Sequence, residues 1–380
     1  MTETKRRSRF KALFLGCVIT FLLMELVLQF CPVSTGLRPA TVDAEHPVYH
    51  FEPDRSFVFS RDWNFALANE GHVNNVGFVN DQDYVAVDKR PLVAIVGDSF
   101  IEAQMVSYAD TAHGRLARKY ASDARVYSFA AAAAPLSQYL VWAQYARENY
   151  SPDVLVISVV GNDFDESLAK YGVAVGQHHF VPGADGKLEL KRFDYKSKAL
   201  GPVVYKSALA RYLHLNLKLS SRVSALIGRL SGKQRVEQQF VGNTATAYTP
   251  ERLADSLNAL DTFFRFLPKM SGMSHERILF VVDGMRPELY DPYKLAAAGK
   301  SYFAVMRAAF ISKARSLSYE VIDLQVPFIE RFERDHQRFE FDTDYHWNAV
   351  GHGVVAEVIE GSNLFQAFRG LKHHGQPLMR

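Results

Sequence analysis

Three short polar stretches, far apart in the sequence, contain residue types that together can perform acyl transfer. Ser99 stands in VGDSF, Asn162 in VVGND, and Asp344 and His346 in DTDYHW. A serine hydroxyl can attack a carbonyl carbon, an Asp–His pair can remove and return its proton, and an amide can donate to the oxyanion that forms. Each residue also has a structural alternative, because Ser and Asn cap helices or fix turns and a buried His can bond a backbone carbonyl.

An alternation of short apolar runs and helical segments positions these stretches. The runs LVAIVG, ARVYSFA, DVLVISVV, RILFVVDG and YEVIDL are typical of strands, and segments with helical spacing lie between them. This alternation predicts a three-layer, doubly wound α/β domain of the flavodoxin-like kind, with a parallel sheet covered on both faces. Sites in such sheets lie at the carboxyl ends of the strands. The GDS and GND stretches follow strands one and three, so we expect both on one rim, together with DTDYHW.

With the three stretches in this order, the chain resembles the SGNH (GDSL-type) hydrolase family over residues 92–360. The resemblance implies that Ser99 is the nucleophile, that its backbone N–H is one oxyanion donor, and that Asn162 supplies a side-chain donor. It further implies that His346 is the base and that Asp344 orients it. The D-x-H-W form of the last stretch is similar to the membrane-anchored bacterial branch that works on exported polysaccharides, including alginate O-acetylation proteins.

The sequence departs from the family's pattern at three places: the glycine block, the spacing within GND and the spacing between the last acid and the histidine. The family's glycine, which donates a backbone N–H to the oxyanion, should fall within VYSFAAAAAP, where the nearest match is Ala133; alanine can take this place only if its φ is negative. GND is one residue tighter than the usual G-x-N-D. The family's D-x-x-H spacing would place the acid at Thr343, so Asp344 is the expected partner of His346 and Asp342 the alternative.

The N-terminus combines a basic cluster with a long apolar segment. Five basic residues lie within residues 1–11, and the nineteen residues of 12–30 contain one charge, Glu25. About twenty apolar residues suffice to cross a bilayer, and the flanking positive charge keeps the N-terminus in the cytoplasm. We therefore expect an uncleaved anchor in the inner membrane, with the remainder in the periplasm or outside the cell. The alternatives are a cleaved signal peptide, a lipoprotein site at Cys17 and a buried core helix.

The composition along the chain predicts a domain organisation around this anchor. Between strand three and RILFVVDG the strand–helix rhythm is lost, and this insertion is expected at the carboxyl edge of the sheet, as a lid that selects the substrate or as packed helices. The predicted parts are a basic cytoplasmic tail (1–11), the anchor (12–31), an irregular lead-in (32–90), the hydrolase-like domain (91–360) with the insertion (164–273), and a C-terminal tail (361–380).

Charge and cysteine content exclude several function classes. Removing the N-terminal tail from the chain's 44 basic and 41 acidic residues leaves 39 and 40, so no basic surface for nucleic acid is expected. Both cysteines, Cys17 and Cys31, lie in or beside the apolar segment, which leaves no thiol chemistry for the exported part. The histidine pairs 178–179 and 373–374 have no acid cluster nearby and are expected to be solvated, so neither a metal nor a cofactor is predicted.

Three functions fit these observations. The first is a membrane-anchored serine esterase that removes O-acyl groups, acetyl above all, from an exported or cell-surface glycan or from another ester. The second is an O-acetyltransferase in which a sugar hydroxyl replaces water, which would need a membrane protein partner to bring acyl groups across the bilayer. The third is a non-catalytic glycan-binding or assembly factor. A complete set of nucleophile, base and acid favours the first two.

Overall fold

The computed structural model describes residues 3–196, 205–230 and 239–370, which form two compact units. The larger unit comprises Arg38–Arg55, His72–Lys196 and Val236–Arg380, and the smaller one Met1–Leu37, Ser56–Gly71 and Ser197–Arg235.

The strands are β1 (Arg55–Arg61), β2 (Leu67–Val73), β3 (Leu92–Gly97), β4 (Arg125–Ala130), β5 (Val154–Val159), β6 (His178–Pro182), β7 (Leu188–Arg192), β8 (Phe240–Val241), β9 (Thr244–Ala245), β10 (Ile278–Val282), β11 (Glu320–Asp323), β12 (Glu340–Phe341) and β13 (Asp344–Trp347). The α-helices are α1 (Glu3–Leu28), α2 (Ser99–Glu102), α3 (Ala112–Lys119), α4 (Leu136–Tyr150), α5 (Ala208–Arg211), α6 (Leu219–Leu230), α7 (Pro250–Ser271), α8 (Pro292–Ala298), α9 (Tyr302–Ser316), α10 (Gln325–Asp335), α11 (Ala349–Gly361) and α12 (Asn363–Gly370).

A five-stranded parallel sheet forms the centre of the larger unit. Its strand order is β11-β10-β5-β3-β4, and every residue of β3, β4, β5 and β10 is buried. Strands buried on both faces are apolar throughout, which explains why these segments read as continuous apolar runs instead of alternating ones. The predicted α/β fold with a parallel sheet is confirmed.

Helices cover both faces of this sheet. On one face, Val93 and Ile95 of β3 belong to a core that includes side chains of α3, α11 and α12. On the other face, α4, α7 and α9 pack together, and Phe263 and Phe310 meet Phe280 of β10 there. Three layers result, as the sequence pattern predicts.

The sheet reverses its winding direction at β3. The chain passes from β3 to its neighbour β4 and then returns to β5 on the opposite side of β3. In an open parallel sheet this arrangement leaves a crevice at the carboxyl ends of the strands on either side of the switch point. The GDS stretch follows β3, the alanine run follows β4 and the GND stretch follows β5, so the topology places all three at this crevice.

The structure divides the predicted insertion 164–273. Its first part forms the expected antiparallel hairpin β6–β7, and its last part forms the small hairpin β8–β9 and α7, which packs on α4. The described part of its middle, residues 205–230, belongs to the smaller unit together with α1. The predicted irregular lead-in 32–90 contains the hairpin β1–β2, and the predicted C-terminal tail begins with α12.

Candidate active site

Ser99, His346 and Asp344 form one continuous chain of contacts. Ser99 is the first residue of α2, directly after the tip of β3, and its Oγ lies 2.7 Å from His346 Nε2. His346 Nδ1 is hydrogen-bonded to Asp344 Oδ1, which also accepts the backbone N–H of His346 at 2.9 Å. Asp344 is 6% exposed, whereas Asp342 is exposed in the turn between β12 and β13. The acid two residues before the histidine is therefore the one in contact with its ring.

Asp98 fixes the corner that presents Ser99. Its Oδ1 accepts the backbone N–H of Phe100 at 2.9 Å, which caps α2, and its Oδ2 lies 3.3 Å from Ser99 Oγ. Burial raises the pKa of Asp98 to about 6. A side chain at Gly97 would place its Cβ 2.4 Å from Ile101, so the turn from strand to helix requires glycine for close approach. Asp98 thus fixes the turn that precedes Ser99.

Asn162 lies on a one-turn helix, Gly161–Asp163, that directly follows β5. Its Nδ2 donates to Glu166 Oε2 at 2.8 Å, and its Oδ1 accepts from Asn243 Nδ2 in the β8–β9 turn. Burial raises the pKa of Glu166 to about 7. Two side chains therefore fix the orientation of this amide, and one of its two N–H groups remains for a further acceptor.

Asp163 supports the same turn from inside the protein. It is fully buried, accepts the backbone N–H of Val160 at 2.8 Å and accepts the Tyr139 hydroxyl at 3.0 Å. Burial raises the pKa of Asp163 well above its ordinary value. A Cβ at Gly161 would lie 2.8 Å from Asn243 Oδ1, so the approach of the β8–β9 turn depends on glycine here. The predicted insertion 164–273 consequently contributes Asn243, which contacts Asn162.

The alanine run after β4 differs from the expectation. Ala133 is exposed and its φ is +58°, so the negative φ under which alanine was expected to replace glycine is not observed. Burial raises the pKa of Glu102, the last residue of α2, to about 7. The left-handed conformation at 133 suits glycine, the residue that the family pattern has in this block.

We expect Ala133→Gly to raise the free energy of unfolding by about 0.5–1 kcal/mol, because relief of the left-handed strain of the Cβ, about 1–2 kcal/mol, outweighs the larger backbone entropy that glycine gives the unfolded chain. The urea midpoint of the full-length protein in detergent measures this change. Ala132→Gly is the matched control, since Ala132 is exposed in the same turn and is not among the residues with positive φ. The control should lower the midpoint; a similar decrease for both variants would contradict the strain at position 133.

A buried ionic cluster, which the sequence pattern does not predict, contacts β13, the strand of Asp344 and His346. Arg286 Nη2 donates to Asp283 Oδ2 at 2.7 Å, and its Nη1 donates to the backbone carbonyl of Tyr345 at 3.2 Å and lies 3.4 Å from Glu340. The Trp347 indole N–H donates to Asp283 Oδ1 at 3.0 Å. One feature of the sequence could have indicated this cluster. Asp283 stands at the end of the apolar run RILFVVDG, so it lies at the same edge of the sheet as the other polar stretches.

The histidine pair 178–179 is buried in part, which corrects the expectation that it is solvated. His179 is 1% exposed, and its Nδ1 contacts the backbone carbonyl of Glu166 at 2.8 Å. His178 Nδ1 lies 3.2 Å from Gln138 Oε1. Burial lowers the pKa of both rings. The pair 373–374 lies outside the described residues, and within the described ranges no group of three or more His, Cys, Asp or Glu is arranged to hold a metal ion.

The sequence matches no protein-family model and no curated protein. Solved structures similar to the chain include a GDSL-like lipase from Bacteroides thetaiotaomicron, with 10% identity and a TM-score of 0.37, covering 75% of this chain and 93% of that one. A lipase/acylhydrolase from Enterococcus faecalis has 11% identity and a TM-score of 0.36, with 72% and 96% covered. The acetyl xylan esterase AlAXEase has 10% identity and a TM-score of 0.38, with 71% and 98% covered.

Proposed function

We propose that the chain is a membrane-anchored serine esterase of the SGNH type that hydrolyses O-acyl esters, acetyl above all, of an exported or cell-surface glycan. The observation that carries the catalytic part is the contact chain from Ser99 through His346 to Asp344. The nucleophile and base are within hydrogen-bond reach, and a buried acid orients the base, which is the arrangement that serine hydrolases share across unrelated folds.

In the proposed reaction, Ser99 Oγ attacks the ester carbonyl carbon while its proton passes to His346 Nε2. Asp344 accepts from Nδ1 and stabilises the imidazolium that forms. As the tetrahedral intermediate collapses, the ester C–O bond breaks and His346 returns the proton to the departing sugar oxygen. Water then attacks the acyl-serine with His346 as base, and the carboxylic acid leaves with the Ser99 hydroxyl restored.

Two groups are proposed as oxyanion donors, the backbone N–H of Ser99 and the side-chain amide of Asn162; the backbone N–H of Ala133, the third expected donor, does not meet the condition of a negative φ. Ser99 begins a helix, so its N–H has no acceptor within that helix. Asn162 follows β5, which pairs with β3, the strand that precedes the proposed nucleophile. We propose Glu166 and Asn243 as positioning residues, because they hold the Asn162 amide.

The membrane part of the proposal concerns α1. Among the described residues, one helix, Arg9–Leu28, is long and apolar enough to cross a bilayer, and its side chains are almost all exposed. A signal sequence would share these features. Glu25 favours an uncleaved anchor, because its carboxylate accepts the Ser207 hydroxyl at 2.7 Å and the backbone N–H of Ala208 at 2.9 Å. Cleavage behind this helix would remove those acceptors from the start of α5.

A cavity supports a sugar substrate. It has a volume of about 470 Å³ and is lined by an exposed aromatic ring, a partly exposed ion pair and small side chains: Asp165, Ala245, Ala247, Tyr248, Thr249 and Arg252. Asp165 is three residues after Asn162, and Ala245 belongs to the hairpin whose turn contacts Asn162. An aromatic ring beside polar groups suits a sugar, which presents apolar ring faces and hydroxyl groups.

The test is labelling of the full-length protein in membranes with a fluorophosphonate probe. We expect wild type to be labelled, Ser99→Ala to be unlabelled, and Ser107→Ala, an exposed serine in the same region, to be labelled like wild type. Labelled protein should pellet with membranes at its full length. Label retained by Ser99→Ala, or no label on folded wild type, would exclude the mechanism, and a shortened soluble form would exclude the anchor. Faster release of the acyl group to an added glycan than to water would identify a transferase.

A further inference from the structure

The segment 205–230 of the smaller unit has an unusual charge pattern. It contains five Lys or Arg residues and no Asp or Glu, although the chain outside the N-terminal tail is close to neutral. The near-neutral count of the whole chain does not reveal this local excess of basic residues. The segment comprises α5, a single π-helical turn (Tyr212–Asn216) and α6.

Helix α6 presents an apolar stripe to the outside. Leu219, Val223 and Ile227 are 42%, 45% and 57% exposed, and their spacing of four residues places them on one face of the helix. Arg222 and Ser224, which are also exposed, flank this stripe on its two sides. A helix with an apolar face and a basic polar face is typical of segments that lie in the plane of a membrane surface.

The start of this segment is attached to the end of the proposed transmembrane helix. Glu25 of α1 accepts hydrogen bonds from the Ser207 hydroxyl and from the backbone N–H groups of Ala208 and Leu209, the first residues of α5. Beside these bonds, a small apolar core joins the two helices: Leu28, Val33, Ala208 and Leu209, with Cys31, Phe65, Tyr212 and Leu213 packed against it. A polar and an apolar contact thus hold α5 at the end of α1 that leaves the bilayer.

An exposed tryptophan lies in the same unit. Trp63, in the loop between β1 and β2, is 72% exposed, and its backbone carbonyl accepts the Tyr212 hydroxyl at 2.8 Å. Phe30, two residues after α1, is 85% exposed. Tryptophan is enriched at the level of lipid headgroups, where its ring and its N–H are both accommodated.

We infer that these elements form a membrane-surface patch, defined as the stripe Leu219, Val223 and Ile227 together with Trp63, and that its occupant is an anionic bilayer. The inference rests on the proposed anchor, because α1 brings the patch to the membrane. A bilayer satisfies both halves of α6: acyl chains accept the apolar stripe, and anionic headgroups attract the basic residues. The smaller unit therefore binds the membrane in two ways: α1 crosses the bilayer, and the membrane-surface patch lies on its lipid surface.

Site-specific labelling of the full-length protein tests the patch. In a Cys17→Ser, Cys31→Ala background, an environment-sensitive fluorophore is attached after Val223→Cys, Ile227→Cys or, as control, Ser224→Cys. After reconstitution into phosphatidylcholine–phosphatidylglycerol vesicles, we expect labels at 223 and 227 to shift to shorter wavelength and to lose iodide quenching, while the label at 224 remains quenched. Omitting phosphatidylglycerol should reduce the shift.

Native tryptophan fluorescence provides a second measurement that needs no substitution in α5 or α6. The chain has three tryptophans, and Trp142 and Trp347 are fully buried. Brominated lipids should quench wild type and should not quench Trp63→Phe. Failure to incorporate into vesicles would exclude the anchor and hence the basis of the inference. Incorporation with equal iodide access at 223, 224 and 227 would overturn the patch alone, and shielding found only in native membranes would identify a protein partner in place of lipid.

Discussion

Asp344→Asn is expected to lower kcat for ester hydrolysis by about 10⁴-fold, with a far smaller effect on stability. Asp344 Oδ1 accepts from both the ring and the backbone N–H of His346, so it sets the tautomer in which Nε2 can accept the Ser99 proton. Asparagine is nearly isosteric but presents an N–H or a neutral carbonyl to the ring. It therefore loses both the correct tautomer and the charge that stabilises the imidazolium.

Asp342→Asn is the matched control, because Asp342 lies in the same hairpin and is exposed. It should leave kcat within about a few-fold of wild type, as expected for a surface charge outside the contact chain. Both variants are assayed as full-length protein in detergent with p-nitrophenyl acetate, and their urea midpoints show whether they remain folded. Equal and small losses for the two variants would exclude Asp344 as the orienting acid; a larger loss for Asp342→Asn would transfer that role to it.

Local patterns in the sequence were sufficient to predict the parallel sheet and the edge of the sheet at which the polar stretches lie. β3, β5 and β10 are buried on both faces, and so their apolar runs are continuous and easily recognised. The polar residues after them share one edge because parallel strands end on the same side. The contact of Ser99 with His346, separated by 247 residues, follows from this topology and not from any local signal.

The tertiary contacts around the proposed catalytic residues could not be predicted from local sequence patterns. Asn243 belongs to a short two-residue-strand hairpin with no periodic pattern, yet it bonds Asn162 across 81 residues. Glu25 appeared to be a solitary charge in an apolar segment, and its partners lie 182 to 184 residues later. The composition of the alanine run likewise does not indicate the positive φ of Ala133. Pairings of this kind are decided by tertiary packing.

The largest effect on stability is expected from Arg286→Met. The Arg286 side chain is 3% exposed and lies between the carboxylates of Asp283 and Glu340, both of them buried. Methionine matches its apolar stem but leaves the buried Asp283 without its cation and Glu340 with Arg338 as its remaining cation. Breaking a buried ion pair by removing one partner typically costs about 3–5 kcal/mol. Because Arg286 also bonds the carbonyl of Tyr345, we expect hydrolysis to weaken even where the variant remains folded.

Arg338→Met is the control for this prediction, because Arg338 donates to the same Glu340 at 2.9 Å from a side chain that is 55% exposed. An exposed ion pair contributes about 0–1 kcal/mol, so the two variants should differ several-fold in their effect on the free energy of unfolding. Urea unfolding of the full-length proteins in detergent, followed by the fluorescence of the buried Trp142 and Trp347, measures both. If Arg286→Met costs no more than Arg338→Met, the buried cluster does not hold β13. In that case the hydrogen bond from Trp347 to Asp283 becomes the contact to test next, through Trp347→Phe.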